Sequence, residues 1–343
     1  MDFVFPLLSF KKHGGVRVLS VLMNHLSEAG HNVILLVPRN RFEGFYELSE
    51  KVSVKYLKNS SKNPISIFKT LIYFYKHSPK SSYIVVSFFP TFYAALLCKI
   101  FKKSRIIYYR QDAEQYFYPF PFSLIAHLSY ILPHEHRPAV STWVMKRTHS
   151  TGPLIHPPVS HKFLNSGFED AVKENEIVVF FRYKKNKGPA TALKILKHPA
   201  LTNFKINVVG DNPHLNLPNI SFHGYLKESN LIKVLNRSKF FILTSKFEGF
   251  GLPPLEAMAR GAIPIVFTNT GPADYIIHGV NGFITLNIEE AINIIKDLTN
   301  DQEKWLKMAK NAIETAKRFT EENFFRKFLE MLSKDFEKTE FSL

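Results

Sequence analysis

Residues 239–266, Lys239-Phe-Phe-Ile-Leu-Thr-Ser-Lys-Phe-Glu248-Gly249-Phe250-Gly251-Leu252-Pro-Pro-Leu-Glu256-Ala-Met-Ala-Arg-Gly261-Ala-Ile-Pro-Ile-Val266, read as a strand, a glycine-bearing loop, a helix, a glycine stop and a second strand. Strand, helix and strand in immediate succession make a parallel βαβ unit, and open sheets of that kind bind ligands at the carboxyl ends of their strands. Gly249 and Gly251 let backbone come close to a ligand, and the helix that follows offers free N–H groups and a positive dipole end to an anion such as a diphosphate. Glu248 falls in the loop, where an ionised carboxylate accepts hydrogen bonds from hydroxyls, and Glu256 falls in the first turn of the helix, where the dipole favours its charge. A solvated loop acid and a helix-capping acid are the plainer alternatives for the same two residues.

Outward from this block, the same alternation runs through the whole chain. In the first half the pattern predicts strands at Phe3 to Leu8, Asn32 to Val37, Ser53 to Leu57, Tyr83 to Ser87 and Arg105 to Arg110. A helix after His13-Gly14-Gly15 keeps Leu19, Leu22 and Leu26 on one face and stops at Gly30, and Pro64 opens another where proline is tolerated. After an irregular, aromatic and proline-rich stretch from Asp112 to His161, the second half predicts strands at Glu176 to Phe181, Lys205 to Gly210, Asn219 to Phe222, Lys239 to Thr244, Ile263 to Phe267 and Phe283 to Leu286. Helices follow from Ile288 onward, and the last, Glu321 to Phe336, is long enough to reach back to the first half. The fold class is therefore α/β, with two Rossmann-like domains, 1–165 and 166–320, a cleft between them, and a C-terminal helix, 321–343, returning to the first domain.

Composition narrows the function. With 343 residues, 45% of them hydrophobic and 22% charged, the chain is globular, and it holds no apolar run near the roughly 20 residues of a spanning helix. Its one cysteine, Cys98, lies in an apolar helical context and leaves no intrachain disulfide, which suits a reducing compartment. The N-terminus reads as a first strand and not as a signal peptide, so the expected location is cytoplasmic, with peripheral attachment to the inner face of the membrane as a further expectation. The charge of +16 is uneven: residues 1–165 hold 21 Lys/Arg against 8 Asp/Glu, a net of +13, and residues 51–110 hold twelve Lys/Arg and no acid. Such a surface, interleaved with aromatics, suits anionic lipid headgroups, nucleic acid or an acidic acceptor, and an ordinary solvated basic face is the alternative. His134 and His136 lack a third metal ligand at convincing spacing.

Taken together the motifs resemble those of the family 4 retaining glycosyltransferases, which have the GT-B fold; the block from Glu248 to Glu256 resembles that family's E-x7-E signature. Other landmarks recur in order. His13-Gly14-Gly15 resembles the glycine loop under the donor phosphates, and Arg182 with Lys187-Gly188 resembles the pair that holds the diphosphate. Val208-Val-Gly210-Asp211 and Phe222-His-Gly224-Tyr225-Leu226 resemble the walls of the base pocket, and Asn269-Thr-Gly271-Pro272 and Asn281-Gly282 resemble later landmarks. The resemblance implies that Glu248, with the backbone of Gly249, Phe250, Gly251 and Leu252, binds the transferred sugar, and that Glu256 binds the ribose. It also implies that Arg182 and Lys187 neutralise the leaving diphosphate. By residue type and spacing alone, Arg182 and Lys187 would equally be members of a surface basic cluster.

The resemblance implies further that the donor is a nucleotide sugar, that no metal or other cofactor is needed, and that retention proceeds by front-face attack with the acceptor proton passing to the departing phosphate. Many members place His-Asp after the strand that here ends Tyr109-Arg110, whereas this chain has Gln111-Asp112. The run Gln111-Asp112-Ala-Glu114-Gln-Tyr116-Phe-Tyr118-Pro119 resembles a rhamnosyltransferase-like subgroup that builds cell-surface glycans from dTDP-rhamnose. Asp112 and Glu114 are accordingly candidates for orienting a glycan or lipid-linked acceptor, or else partners of nearby arginines. A non-catalytic binding subunit would be expected to have lost Glu248, Lys187 or Arg182; an epimerase is disfavoured by the Glu248 to Glu256 block. A nucleic-acid-binding protein would explain the charge and none of the motifs, so no nucleic acid is expected as a partner.

Overall fold

The structure, a computed structural model, describes residues 1–57, 59–61, 63–164 and 173–340, with the side chains of 334–340 excepted. The chain forms two compact units: Met1–His156 with Phe324–Leu343, and Pro157–Asn323.

The first unit is built on a five-stranded parallel sheet of β1 (Asp2–Pro6), β2 (Asn32–Pro38), β3 (Val52–Leu57), β4 (Tyr83–Val86) and β5 (Arg105–Tyr108), in the order β3-β2-β1-β4-β5. Because side chains alternate across a strand, the register separates two packing faces. Val4 lies beside Ile34 and Ile84, and Ile84 beside Ile106. These residues share one core with Phe74, Phe92 and Tyr130 from the helices Pro64–His77, Phe89–Lys102 and Phe122–Ile131. On the opposite face, Phe3 stacks with Tyr83 at 5.3 Å and meets Phe328 of the C-terminal helix at 6.5 Å. That helix, Glu321–Glu340, also sets Phe325 against His25 of the helix Gly14–Glu28 and Phe324 against Tyr109. From Phe324 on, it is part of the first unit.

The second unit carries a six-stranded parallel sheet of β6 (Glu174–Phe181), β7 (Lys205–Gly210), β8 (Ile220–Gly224), β9 (Ser238–Leu243), β10 (Ile263–Val266) and β11 (Phe283–Ile284), in the order β11-β10-β9-β6-β7-β8. Its first strand is again central, flanked by the second on one side and the fourth on the other, the doubly wound order of a dinucleotide-binding sheet. Ile177, Val179, Phe181, Phe240 and Ile242 build its core together with Trp305, whose indole N–H donates to the Lys239 carbonyl at 3.3 Å. Two buried charged groups of this unit are paired, as their desolvation requires: Lys173 donates to the carbonyls of Leu235 and Ser238, and Glu176 accepts from Asn207 at 2.7 Å.

Residue 165, where the sequence suggested a boundary, lies outside the described residues. The division by contacts comes earlier, between His156 and Pro157. The segment after Pro157 is held by the second unit: Val159 N–H donates to the Phe319 carbonyl at 2.8 Å, and the Phe163 carbonyl accepts from Arg260 at 3.1 Å. All eleven strands expected from the sequence form, most with ends shifted by one or two residues. Among the described residues no helix is long and apolar enough to cross a membrane.

Candidate active site

In the second unit the winding reverses between β6 and β9, so the loops after these strands flank the position where a doubly wound sheet takes a ligand. The loop after β6 turns through Lys185–Lys187 to Gly188, and the loop after β9 runs from Thr244 to Gly251. The two are fastened together by backbone: Lys246 N–H donates to the Asn186 carbonyl at 2.8 Å, and the Thr244 hydroxyl donates to the Lys187 carbonyl at 3.0 Å. Gly188 is required at this junction, because with φ of +64° a β-carbon there would stand 2.0 Å from the Thr244 carbonyl oxygen.

This fastening brings Lys187 and Glu248 together across sixty-one positions of sequence: Nζ lies 2.7 Å from Oε1, with the side chains 29% and 15% exposed. The Glu248 N–H donates to Thr270 Oγ1 at 3.0 Å, and its carbonyl accepts from Gly271 N–H at 3.0 Å. The loop after β10 therefore holds the Glu248 backbone on both sides while the carboxylate remains part-exposed. Tyr275 is fully buried beneath the loop and donates to the Gly251 carbonyl. Its hydroxyl pKa is driven well above the usual value by burial and by the nearby carboxylates of Glu248 and Glu256, so it remains a donor.

Glu256 is 8% exposed and sits one turn deeper than the first turn in which the sequence put it, because the helix already begins at Leu252 (Leu252–Ala259). Pro253 and Pro254 occupy that first turn, and proline has no N–H. The supply of free N–H donors at this helix end is thus smaller than the strand–loop–helix pattern suggested. The cationic side chains carry correspondingly more of any anion binding.

A second group gathers at the ends of β6, β7 and β8. Arg182 lies over the Tyr225 ring at 4.2 Å, a cation–π contact. Asp211 accepts from the Tyr225 hydroxyl and from Tyr183 N–H at 2.9 Å, and its pKa is held low first by the Tyr225 hydrogen bond. Gly210, with φ of +122°, packs so tightly that a β-carbon would meet the Phe181 carbonyl at 2.2 Å and Arg182 Nε at 3.2 Å. Gly224 also takes a positive φ, of +63°, which carries the chain from β8 into Tyr225 and Leu226. Arg182 and Lys187, read from sequence as one pair, therefore have different partners.

In the first unit, Gly14 and Gly15 are the opening residues of the helix Gly14–Glu28, with His13 as N-cap, and do not form a free loop. Gln111 follows β5 and donates to the Gly15 carbonyl at 3.1 Å. Glu114 is turned inward: it accepts from Phe89 N–H at 2.8 Å at the start of the helix Phe89–Lys102, and lies 3.4 Å from the Tyr108 hydroxyl. Burial pushes its carboxyl up to about 8. Asp112 accepts from Ala113 N–H at 2.9 Å. His134 faces Arg110 at 3.0 Å, and burial lowers its pKa to about 4, so the ring is a neutral acceptor. Among the described residues no three His, Cys, Asp or Glu converge on a metal-sized site.

Thr270 and Tyr275 support the Glu248 loop and were not singled out from sequence. Thr270 lies inside the quoted Asn269-to-Pro272 landmark, whereas an isolated tyrosine such as Tyr275 carries no local signal.

The fold is GT-B. Over 97% of this chain and all of the other, it superposes on Anabaena HepE in complex with UDP and glucose with a TM-score of 0.75 at 16% identity. A sucrose-phosphate synthase from Thermosynechococcus elongatus gives 0.79 at 15% identity, over 98% of this chain and all of that one. Residues 165–317, somewhat under half of the chain, match the family described as "Glycosyl transferases group 1". Among curated relatives, a GDP-Man:Man(3)GlcNAc(2)-PP-Dol alpha-1,2-mannosyltransferase of Dictyostelium discoideum is 26% identical over 209 residues, 52% of this chain and 41% of that protein. The serotype-specific mannosyltransferase WbdA of Escherichia coli is 35% identical over 74 residues, 19% of this chain and 9% of that one. The chain spans well under half the length of these two relatives.

Proposed function

We propose that the protein is a glycosyltransferase that moves a hexose from a nucleotide-sugar donor, with retention, to a glycan or lipid-linked acceptor at an anionic membrane surface. The observation that carries this reading is the Lys187–Glu248 pair at the point where the second sheet reverses its winding. There a carboxylate for sugar hydroxyls and a cation for a leaving phosphate stand side by side. In this reading Glu248 accepts from the transferred sugar, Glu256 from the ribose, and Gly210, Gly224, Tyr225 and Leu226 border the base. Lys187 and Arg182 stabilise the charge that develops as the bond from sugar to phosphate breaks, and preorganised cations of this kind serve without a metal. The acceptor proton passes to the departing phosphate oxygen.

The mannosyltransferase relatives favour a mannosyl donor. A dTDP-rhamnose donor is the second reading and draws on the Gln111 to Pro119 run; Gln111 and Glu114 within it are engaged with the first unit's own backbone.

Thermal unfolding with GDP, UDP and dTDP in turn tests the assignment. A nucleotide at 100 times its dissociation constant adds about 2.7 kcal/mol of stability, so one of the three is expected to raise the Tm. GDP supports mannose and dTDP supports rhamnose; no shift with any overturns the donor assignment.

A further inference from the structure

The three helices Pro64–His77, Phe89–Lys102 and Phe122–Ile131 cover one face of the first sheet, and they lie side by side. Tyr75 meets Phe101 edge-on at 6.3 Å, and the Tyr93 hydroxyl donates to the Ile125 carbonyl at 2.7 Å. Each helix buries an inner stripe, with Phe74, Phe92 and Tyr130 inside. A helix in such a layer ordinarily turns polar residues outward. These helices turn large apolar residues outward as well: Ile65 and Phe68, Ile100 and Phe101, and Leu128 and Ile131 are each between 43% and 69% exposed. Ile65 and Phe68, and Leu128 and Ile131, are three positions apart, and Ile100 and Phe101 lie three and four positions after Leu97, itself 39% exposed, so each set runs along one outer side of its helix.

The polar groups among them are of one sign. Lys69 and Lys76 share the outer side of the first helix, and Lys103 follows the second, all three exposed. No acid occurs between residues 51 and 110. Glu135, close to this layer, is held by Lys99. A contiguous apolar patch rimmed by polar residues marks an interaction surface. A second copy of the same face fits it poorly, since an isologous contact would set these lysines against their own counterparts with no acid between. An apolar layer beneath an anionic one fits both features.

We propose that this three-helix face docks on an anionic bilayer, with Phe68, Ile100, Phe101, Leu128 and Ile131 reaching the boundary between headgroups and acyl chains and the lysines meeting the headgroups. The proposal deepens the lipid-linked reading of the acceptor and rests on it for its purpose; it uses none of the donor-side residues.

Flotation of the full chain with vesicles of phosphatidylglycerol and phosphatidylcholine, against phosphatidylcholine alone, tests it. The wild type should float with the anionic vesicles only. Ile100→Ser with Phe101→Ser should keep binding at low salt and lose about tenfold or more of it at physiological salt, where apolar insertion must supplement charge. Lys69→Glu with Lys76→Glu should lose binding in both, and Leu128→Ser provides an apolar variant on a separate helix should the first pair fail to fold. Absence of wild-type binding at low salt, equal flotation with neutral vesicles, or variants that bind like the wild type would overturn the proposal. So would a wild-type dimer that the apolar variants convert to monomer. Nucleotide thermal shifts on the same preparations separate the two readings: a shift without flotation sinks the docking face alone, and flotation without a shift sinks the donor site alone.

Discussion

The two units share a plan and differ in what they hang on it. Both sheets place their first strand centrally and reverse winding beside it, so both hold loops where a ligand could bind. In the second unit those loops bring together Lys187 and Glu248, fixed by a glycine that tolerates no side chain, and Glu256 is buried in the helix that follows. In the first unit the corresponding turn is a helix start tied to the neutral side chain of Gln111, and the distinctive chemistry lies on the outer helices, apolar and basic. One fold supports both because strand order sets where loops gather, and the residues in them set what they do.

The largest expected effect breaks the second unit's side of the comparison. Glu248→Ala should reduce transfer by a factor on the order of 10² to 10³, by analogy with loss of a preorganised polar contact, while circular dichroism and Tm stay near wild type. Normal turnover would show that the carboxylate does not touch the sugar.

Gly188→Ala comes next. Its β-carbon would collide with the Thr244 carbonyl, backbone that cannot step aside, so a loss of roughly 1–3 kcal/mol is expected in denaturant unfolding together with weakened nucleotide binding. An unchanged midpoint would mean the two loops are not clamped there.

Glu114 provides a test confined to the first unit. Its folded pKa of about 8 lies above the ordinary carboxyl value, so the folded state holds a proton that the unfolded chain has released, and stability should fall as pH rises toward 8. His31, His134 and His223, all lowered in the fold, act in the opposite sense near pH 6.5 as the unfolded chain loses their protons, so the window from about pH 7 to 8, read as the difference between wild type and Glu114→Gln, is the one that reports this group. Tm should decline across that window in the wild type and flatten in Glu114→Gln; parallel slopes would refute the assignment.

The smallest effect is expected from Gly15→Ala. The added β-carbon would meet only the flexible end of Gln111, and alanine favours a helix by up to about 1 kcal/mol over glycine, so stability should change little. The contrast between Gly15 and Gly188 is the sharpest form of the comparison, since sequence presents both as loop glycines beside a phosphate site.

Legibility followed the range of the interactions. The strands were readable because their apolar runs and punctuating glycines are local, and the Glu248 block because loop and helix are contiguous. Glu256 lies one turn deeper than the pattern predicts, because the helix starts at Leu252 and takes both prolines into its first turn. Glu114 read as an acceptor-side candidate, yet its carboxyl is engaged by Phe89, twenty-five positions earlier. Arg182 and Lys187 read as a pair, and their partners, Tyr225 and Glu248, come from separate strands.

By itself, then, the sequence determined two parallel α/β sheets, the positions of their strands, the charge excess of the first half and the identity of the acidic and basic residues at the ends of β6 and β9. Those are consequences of side-chain period, backbone permissiveness and composition, all of which act over a few residues. Tertiary structure alone decided that Lys187 faces Glu248, that Thr270 and Tyr275 support the loop, that Glu114 is buried, and that three helices present a shared apolar face. Each of these depends on which distant segments the parallel crossovers set side by side, and that proximity is a property of the assembled sheet and not of any stretch of chain.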